Sequence, residues 1–219
     1  MTTTKRLTLK PTVAPRLPSA TLDYDRKMID EENNILRLYF NQLDNFTQSL
    51  ISSDGGQFLS APYGAFQDIG TQSAPAANTA TLILLRTTDY ANRVSIASSR
   101  ITVELPGIYN FQFSVQVQNF DNAPQDMFVW LRQNGVDIVG STGVIGTQAR
   151  KTALDPYHDI KGWNYFLSMN AGDYVELYYS VTNALVTIES YVASVLPTKP
   201  STASVVATMS FVSALPALQ

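Results

Sequence analysis

Hydrophobic and polar residues alternate strictly from Tyr109 to Gln118. Aromatic and aliphatic side chains occupy the odd positions, and amide or hydroxyl side chains occupy the even positions. Successive side chains of a β-strand point to opposite faces, so this pattern predicts a strand with one apolar face and one polar face. Such a strand is typical of an antiparallel sheet that covers a core on one side, rather than of an enzyme cleft.

Further strand patterns follow at short intervals from Gln67 onward. The predicted strands are 79–85, 93–97, 100–105, 108–118, 127–132, 136–139, 163–169, 174–181, 185–193 and 204–212. Asn134-Gly135 is typical of a tight hairpin turn. Many short strands without intervening helices predict a mainly β fold, either a sandwich or a barrel. The stretch 141–162 is predicted to be the longest irregular connection, where binding sites are often found.

One helix is predicted ahead of the strands, over residues 23–52. Asp23 or Asp25 can cap its start. Apolar residues recur at spacings of three and four along one face of this helix: Ile29, Leu36, Tyr39, Leu43, Phe46 and Leu50. Glu32 interrupts this seam at a position that should be apolar. The seam packs either on the helix's own domain or on the same helix of other chains; we expect the second arrangement, a short trimeric coiled coil.

The first 22 residues are predicted to form an extended arm, because their prolines exclude a helix. The candidate anchoring residues of this arm are Lys5, Arg6, Lys10, Pro11, Pro15 and Arg16. A basic arm ahead of a more acidic remainder indicates that the two ends contact different surfaces. The alternative is a tail that binds nothing. The predicted organisation is an arm (1–22), a helix (23–52), a linker (53–66) and a β domain (67–219).

The composition offers little reactive chemistry. The chain has no cysteine and a single histidine, His158, which excludes disulfides, a Cys-His pair and a Cys- or His-rich metal site. No G-x-S-x-G nucleophile motif accompanies that histidine. Paired carboxylates for glycoside hydrolysis need only two acidic residues at the right distance, but solvated loop acids are commoner. We therefore expect a non-enzymatic protein with no cofactor and no metal.

The sequence favours protein partners over membranes and nucleic acids. The longest strongly apolar run, Leu82–Leu85, is far shorter than a membrane span, so no membrane insertion is expected. The basic residues of the arm are too few, without a folded basic face, to indicate nucleic-acid binding. An acidic protein surface would bind them equally well.

Three residues at the end of the 141–162 connection and just after it form a candidate ligand loop: Tyr157, His158 and Trp163. The flat faces of aromatic rings suit the apolar side of a sugar ring, which makes Tyr157, Trp163 and also Tyr165 candidate stacking groups. Core packing is the alternative for Trp163 and Tyr165, because they lie at the start of a predicted strand. A loop histidine without a binding role is the alternative for His158.

Four segments resemble, in order, the strands of C1q and tumour-necrosis-factor-like domains. These segments are Gly107–Phe113, Trp130–Gly135, Ala171–Leu177 and Met209–Val212, and their spacing agrees with the family over residues 67–213. The resemblance implies an antiparallel jelly-roll sandwich of ten strands that forms tight homotrimers. The collagen-like Gly-X-Y stalk of such proteins is absent from this sequence, and the predicted helix stands in its place.

The N-terminal region is similar to segments that open virion structural proteins of tailed phages, especially marine ones. The similar stretches are Pro18–Ala20, Asp25-Arg26 and Asn33–Asn45. This resemblance implies attachment to a virus particle, and the basic arm is the part expected to bind a capsid, neck or tail protein. The expected location is the virion, after assembly in the host cytoplasm.

Together these features predict a non-enzymatic structural protein of a tailed-phage virion. It would be a trimeric fibre or appendage, anchored by its arm, aligned by its helix and carrying a distal jelly-roll domain (the knob). One alternative is a capsid decoration or cement protein that stabilises the shell. The other is a carbohydrate-binding module that recognises a host-surface glycan as its receptor.

Overall fold

The computed structural model describes residues 15–19, 25–51 and 60–215. The chain divides into two compact units, of which the second spans Pro62–Leu215. The first unit holds one helix, α1 (Arg26–Ile51), and the short segment 15–19, which has no regular structure. The second unit holds all the strands of the described residues. The predicted order of a helix followed by a β domain is therefore confirmed.

The start of α1 is fixed by Asp25, one of the two residues predicted to cap it. The Asp25 carboxylate oxygen Oδ1 accepts hydrogen bonds from the backbone N–H of Lys27 at 2.9 Å and of Met28 at 3.4 Å. These are N–H groups that a helix cannot satisfy within its own first turn. The predicted helix over 23–52 thus corresponds to the observed helix Arg26–Ile51, which starts three residues later.

Sixteen strands are present in the second unit, counted over its described residues. They are β1 (Tyr63–Asp68), β2 (Gln72–Ser73), β3 (Thr81–Leu82), β4 (Thr87–Asn92), β5 (Val94–Ala97), β6 (Arg100–Val103), β7 (Gly107–Asn119), β8 (Gln125–Gln133), β9 (Val136–Asp137), β10 (Gly143–Thr147), β11 (Tyr157–Met169), β12 (Tyr174–Val181), β13 (Val186–Ile188), β14 (Ser194–Val195), β15 (Thr198–Lys199) and β16 (Val205–Ser213). Nearly all of them join one of two antiparallel sheets.

The two sheets are named here after their central strands. The β7 sheet has the order β2-β13-β7-β16-β1-β4, with β11 paired along the other edge of β7. The β8 sheet has the order β10-β8-β12-β6-β5, with β3 beside β12 and β9 beside β8. Strands β14 and β15 form a separate small hairpin.

The chain passes repeatedly between the sheets, which is the hallmark of a jelly roll. It runs from β6 in the β8 sheet to β7, back to β8 and β10, across to β11, back to β12 and finally to β16. Two stacked antiparallel sheets connected in this way form a jelly-roll sandwich. The predicted fold class, a mainly β antiparallel jelly-roll sandwich preceded by one helix, is confirmed.

The apolar side chains of the alternating stretch 109–118 form the centre of the core between the sheets. The odd residues of β7 from Tyr109 to Val117 are all buried, and they face buried residues of β8 and β12 such as Leu131 and Leu177. Full burial of one such side chain contributes about 2 kcal/mol through the hydrophobic effect. The Tyr109 hydroxyl also donates a hydrogen bond to the Leu105 carbonyl at 2.7 Å, so its polar end is satisfied inside the core.

The hydroxyl of Tyr179 is the exception in this core. The side chain is fully buried, and its hydroxyl oxygen has no hydrogen-bond partner among the described residues. Burial raises the pKa of Tyr179 to about 12. The desolvated hydroxyl lowers the free energy of unfolding, because water hydrogen-bonds to it only in the unfolded chain.

We therefore expect Tyr179→Phe to stabilise the protein by about 1 kcal/mol at neutral pH. A second signature should appear in alkali. The pKa of Tyr179 in the folded protein lies above the ordinary tyrosine value of about 10. The free energy of unfolding therefore falls as the pH rises from 10 towards 12, because the unfolded chain loses this proton first. The phenylalanine variant has no such proton, so its free energy of unfolding should fall less over this pH range. Urea unfolding at pH 7 and pH 11 measures both effects. Equal or lower stability of the variant at pH 7 would contradict the expectation.

Several predicted element boundaries are wrong. The predicted linker 53–66 overlaps β1, so strand structure begins at Tyr63 rather than at residue 67. The predicted irregular connection 141–162 contains β10 and the first half of β11. Strand β4 was not predicted. Gly64 in β1 and Gly143 and Gly146 in β10 indicate turns rather than strands, and β4 is exposed and largely polar, so its strand pattern is weak.

Candidate functional site

The apolar seam of α1 is present as predicted. Its residues Ile29, Leu36, Tyr39, Leu43, Phe46 and Leu50 are all half-buried, and so is Glu32. Most of the positions between them are exposed, including Leu38 and Phe40. Spacings of three and four place the seam residues on one face of the helix. The helix thus has one continuous apolar stripe; its role in a coiled coil stays a prediction.

Most of the predicted anchoring arm lies outside the described residues, including Lys5, Arg6, Lys10 and Pro11. Pro15 and Arg16 fall in the described segment 15–19, which is neither helix nor strand. Arg16 is exposed. The extended conformation and the anchoring role of the arm both stay predictions.

Tyr157 and His158 do not lie in a loop, so that prediction is wrong; both are part of β11. The Tyr157 hydroxyl donates to Asp159 Oδ2 at 2.9 Å, and Lys161 forms an ion pair with the same oxygen at 2.8 Å. The Lys161 hydrogen bond holds the pKa of Asp159 below its usual range, and the bond to Asp159 raises the pKa of Tyr157. His158 Nδ1 is hydrogen-bonded to the Tyr191 hydroxyl at 2.8 Å.

Trp163, the third residue of the candidate ligand loop, packs against the core, as its alternative interpretation predicted. Its ring meets Phe113 edge-on with centroids 4.6 Å apart. A Cβ at Gly143 would lie 2.5 Å from the Trp163 ring, so the ring fits only because residue 143 is glycine. The ring of Trp163, which belongs to β11, therefore packs against β10 and covers one side of the sandwich.

The outward positions on the four main strands of the β7 sheet include no Asp, Glu, Lys or Arg side chain. The outward positions are Tyr63, Ala65 and Gln67 of β1; Val206, Thr208, Ser210 and Val212 of β16; Ile108, Asn110, Gln112, Ser114, Gln116 and Gln118 of β7; and His158, Ile160, Gly162, Asn164, Phe166 and Ser168 of β11. We call this surface the uncharged face. Its cross-strand register aligns Ala65, Thr208, Gln112 and Asn164 in one row.

Two charged groups border the uncharged face, one on β4 and one directly after β13. Glu189, after β13, has its carboxylate against the amide of Gln118, which is only 4% exposed. Asp89 lies on the edge strand β4, where its carboxylate accepts a hydrogen bond from Gln67 at 2.6 Å. The opposite side of the sandwich is different, because the outward positions of β8 and β12 include Arg132 and Glu176. Charged residues are therefore distributed unequally between the two sheets.

The uncharged face has the composition of a protein interface. Several apolar side chains on it are partly in solvent, of which Ile160 and Phe166 are each 59% exposed. Depletion of charge, together with aromatic and aliphatic side chains, characterises the buried centre of interfaces between subunits. The face escaped sequence analysis because it exists only through the register of four strands that lie far apart in the chain. Its one visible sign was the series of amides on the even positions of β7.

Neither a metal cluster nor a membrane helix occurs in the described part of the chain. Among residues 15–19, 25–51 and 60–215, no three acidic or histidine side chains are grouped so that they could hold a metal ion. The helix within those ranges is not apolar enough to cross a bilayer.

Comparison with known proteins identifies no family for this chain. No protein-family model matches it, and no curated protein matches it in sequence. Solved structures do match, among them one described as the globular domain of zebrafish complement 1qA protein. That domain is 11% identical with a TM-score of 0.40, and the match covers 70% of this chain and 98% of that chain. At this identity the similarity is one of fold alone.

Proposed function

We propose that this chain is a non-enzymatic structural protein of a tailed-phage virion. Three copies form an appendage, or fibre, that is anchored to a capsid, neck or tail protein by residues 1–22. The helix aligns the three copies, and the jelly-roll domain is the distal knob. The protein resides in the virion after assembly in the host cytoplasm.

The uncharged face is the observation that carries the trimeric part of this proposal. In a cyclic trimer, residues close to the three-fold axis meet the same residues of the other copies, so a face packed around that axis gains from carrying no charge. The apolar seam of α1 supports self-association independently, since it follows the heptad spacing of coiled coils. The number three comes from the resemblance to C1q and tumour-necrosis-factor-like domains.

The virion part of the proposal is supported by the N-terminal resemblance and by the charge of the arm. A single extended arm loses conformational entropy when it is ordered on a partner, so one arm binds weakly. Three arms on one trimer bind with a high effective concentration after the first contact. Trimerisation and anchoring therefore reinforce each other.

The solution mass of the full-length protein, measured by light scattering, tests the trimer. A mass three times the 24.1 kDa of one chain is expected. A monomer across the micromolar range would overturn the roles assigned to the helix seam and the uncharged face. A dimer would overturn the stoichiometry that the appendage requires.

Leu43→Asp should loosen the helical association while the knob stays folded. The substitution places a carboxylate in the middle of the apolar seam, where burial without a partner is costly. We expect lower helicity by circular dichroism and an unchanged melting transition of the β domain. Asn41→Asp, which adds the same charge at an exposed position of α1, is the matched control and should resemble the unmodified protein. Loss of β structure in Leu43→Asp would contradict this role.

Deletion of residues 1–20 should abolish incorporation into particles without affecting the fold or the trimer. The deletion removes the basic, proline-containing arm and leaves α1 and the sandwich intact. Incorporation is measured by the amount of protein that sediments with purified particles. A truncated protein that still sediments with particles at the full-length level would show that anchoring lies elsewhere.

A further inference from the structure

A ladder of flat side chains lies on the outer face of the β8 sheet. Trp130 of β8 is directly opposite Tyr178 of β12, with ring centroids 6.0 Å apart and ring planes 30° apart. The guanidinium of Arg132 lies over the Tyr178 ring, 4.0 Å from its centroid. Stacking of this kind holds each of the three groups in place and leaves Trp130 at the end of the ladder.

Asp137 of β9 is fixed beside this ladder by two bonds to the same oxygen. Its Oδ1 accepts from Trp130 Nε1 at 2.8 Å and from Arg132 Nε at 2.8 Å. These bonds, the one from Arg132 first, hold the pKa of Asp137 below its usual range, so the group is an ionised acceptor at neutral pH. No described residue bonds to Oδ2, and the side chain is 55% exposed.

An open hollow of about 370 Å³ adjoins Trp130 and Asp137. Phe128 also lines it from β8, and the residues after β9 from Ile138 to Gly140, together with Thr142, complete its lining. Its volume falls within the range of about 300–1,000 Å³ that is usual for small-molecule sites. The hollow therefore combines two aromatic side chains, one carboxylate and one hydroxyl.

The segment that completes the hollow is held rigidly. Ser141 is buried, and its hydroxyl accepts from the Leu131 N–H at 3.0 Å and donates to the Ile138 carbonyl at 2.8 Å. The Tyr165 hydroxyl donates to the Gly140 carbonyl, which ties the segment to β11 as well. A preformed site loses less entropy on binding than one that must be ordered by its ligand.

We propose that this hollow binds a neutral hexose unit of a carbohydrate. The aromatic rings of Trp130 and Phe128 suit the C–H face of a pyranose, and Asp137 Oδ2 can accept hydrogen bonds from its hydroxyl groups. Arg132 already balances the charge of Asp137, so neither an anionic nor a cationic ligand would gain much electrostatic binding energy in the hollow. A neutral polyol with an apolar face is the ligand class that satisfies all these groups.

This site differs from the candidate ligand loop of Tyr157, His158 and Trp163, and it does not depend on the trimer. It lies on the outer face of the β8 sheet, whereas the proposed subunit contact uses the outer face of the β7 sheet. A trimer joined through the uncharged face would leave the hollow open to a glycan. Failure of sugar binding would therefore leave the oligomeric proposal unaffected, and the reverse also holds.

The chain offers a direct spectroscopic test, because it contains only two tryptophans. In Trp163→Phe, Trp130 is the single indole and reports on the hollow. Cellobiose, lactose and maltose are the neutral probes, and a glucuronate disaccharide is the charged comparison. We expect a saturable change in Trp130 emission at millimolar concentrations of at least one neutral probe, confirmed by calorimetry with the unmodified full-length protein.

Two variants and a control make the test decisive. Asp137→Asn should weaken binding about tenfold, since it replaces a charged acceptor by a neutral one. Trp130→Ala should abolish binding in the calorimeter, with circular dichroism to verify the fold. Tyr90→Ala is the control: it removes an exposed ring from β4 of the β7 sheet, and sugar binding should be unchanged. No saturable binding of any neutral probe, tighter binding of the glucuronate, or unchanged binding by Asp137→Asn would each overturn the proposal.

Discussion

Replacing Thr208 with lysine is expected to convert the proposed trimer into monomers. Thr208 is half-buried on β16, in the centre of the uncharged face, with Ala65 of β1 on one side and Gln112 of β7 on the other. A lysine there puts one ammonium group from every copy into a contact that excludes water. Removing these ammonium groups from water and bringing like charges together costs free energy. This cost exceeds the binding free energy that a few side chains contribute to an interface of standard size.

The measurement for Thr208→Lys is the solution mass at several protein concentrations. The mass should fall towards the 24.1 kDa of a single chain, while circular dichroism shows an unchanged β domain. Ser95→Lys is the matched control, because Ser95 is exposed on β5 of the opposite sheet and should tolerate the charge. A Thr208→Lys protein that keeps the full mass would show that the uncharged face is not the subunit contact.

Phe111→Ala is expected to have the largest effect on stability, a loss of about 4 kcal/mol. Phe111 is 1% exposed in the middle of β7, the strand that contacts β11, β13 and β16, and its ring stacks on Phe113 at 5.8 Å. Truncation removes apolar contacts and leaves a cavity that the paired strands around it cannot fill. The cost therefore exceeds the hydrophobic transfer term alone.

The comparison for Phe111→Ala is the midpoint of urea unfolding at one fixed protein concentration, since the stability of the proposed trimer would depend on concentration. Val144→Ala is the control, because Val144 is an apolar strand residue of β10 that is 65% exposed. It should change stability by less than about 0.5 kcal/mol. Similar losses in the two variants would show that the core between the sheets is loosely packed at Phe111.

The strands that could be predicted are those whose burial alternates. β7 and β12 have long alternating patterns, and both were located to within one residue at each end. β1 was missed because Pro62 and Gly64 have the composition of a loop. In the sequence, Gly143 of β10 indicates a turn. In the structure it lies within a strand, and it is glycine because a Cβ there would collide with the Trp163 ring.

The surfaces were harder to predict than the fold, because they depend on register. The helix seam was visible, since its residues are close in sequence. The uncharged face and the Trp130–Tyr178 pair combine residues from distant strands, and nothing in the sequence states that residue 130 lies opposite residue 178. His158 is the single histidine of the sequence and Tyr157 is its aromatic neighbour, but in the structure both side chains bond to neighbours within the fold.

Strand β11 has a consequence for how the protein is made in a cell. It pairs with β7 along its entire length and with no other strand of the described residues, so one long edge presents backbone groups that another chain could join. Asp159 and Lys161, paired with each other on this strand, are charges of the kind that discourage such joining. Loss of these two side chains would appear as aggregated protein during synthesis rather than as a lower melting temperature.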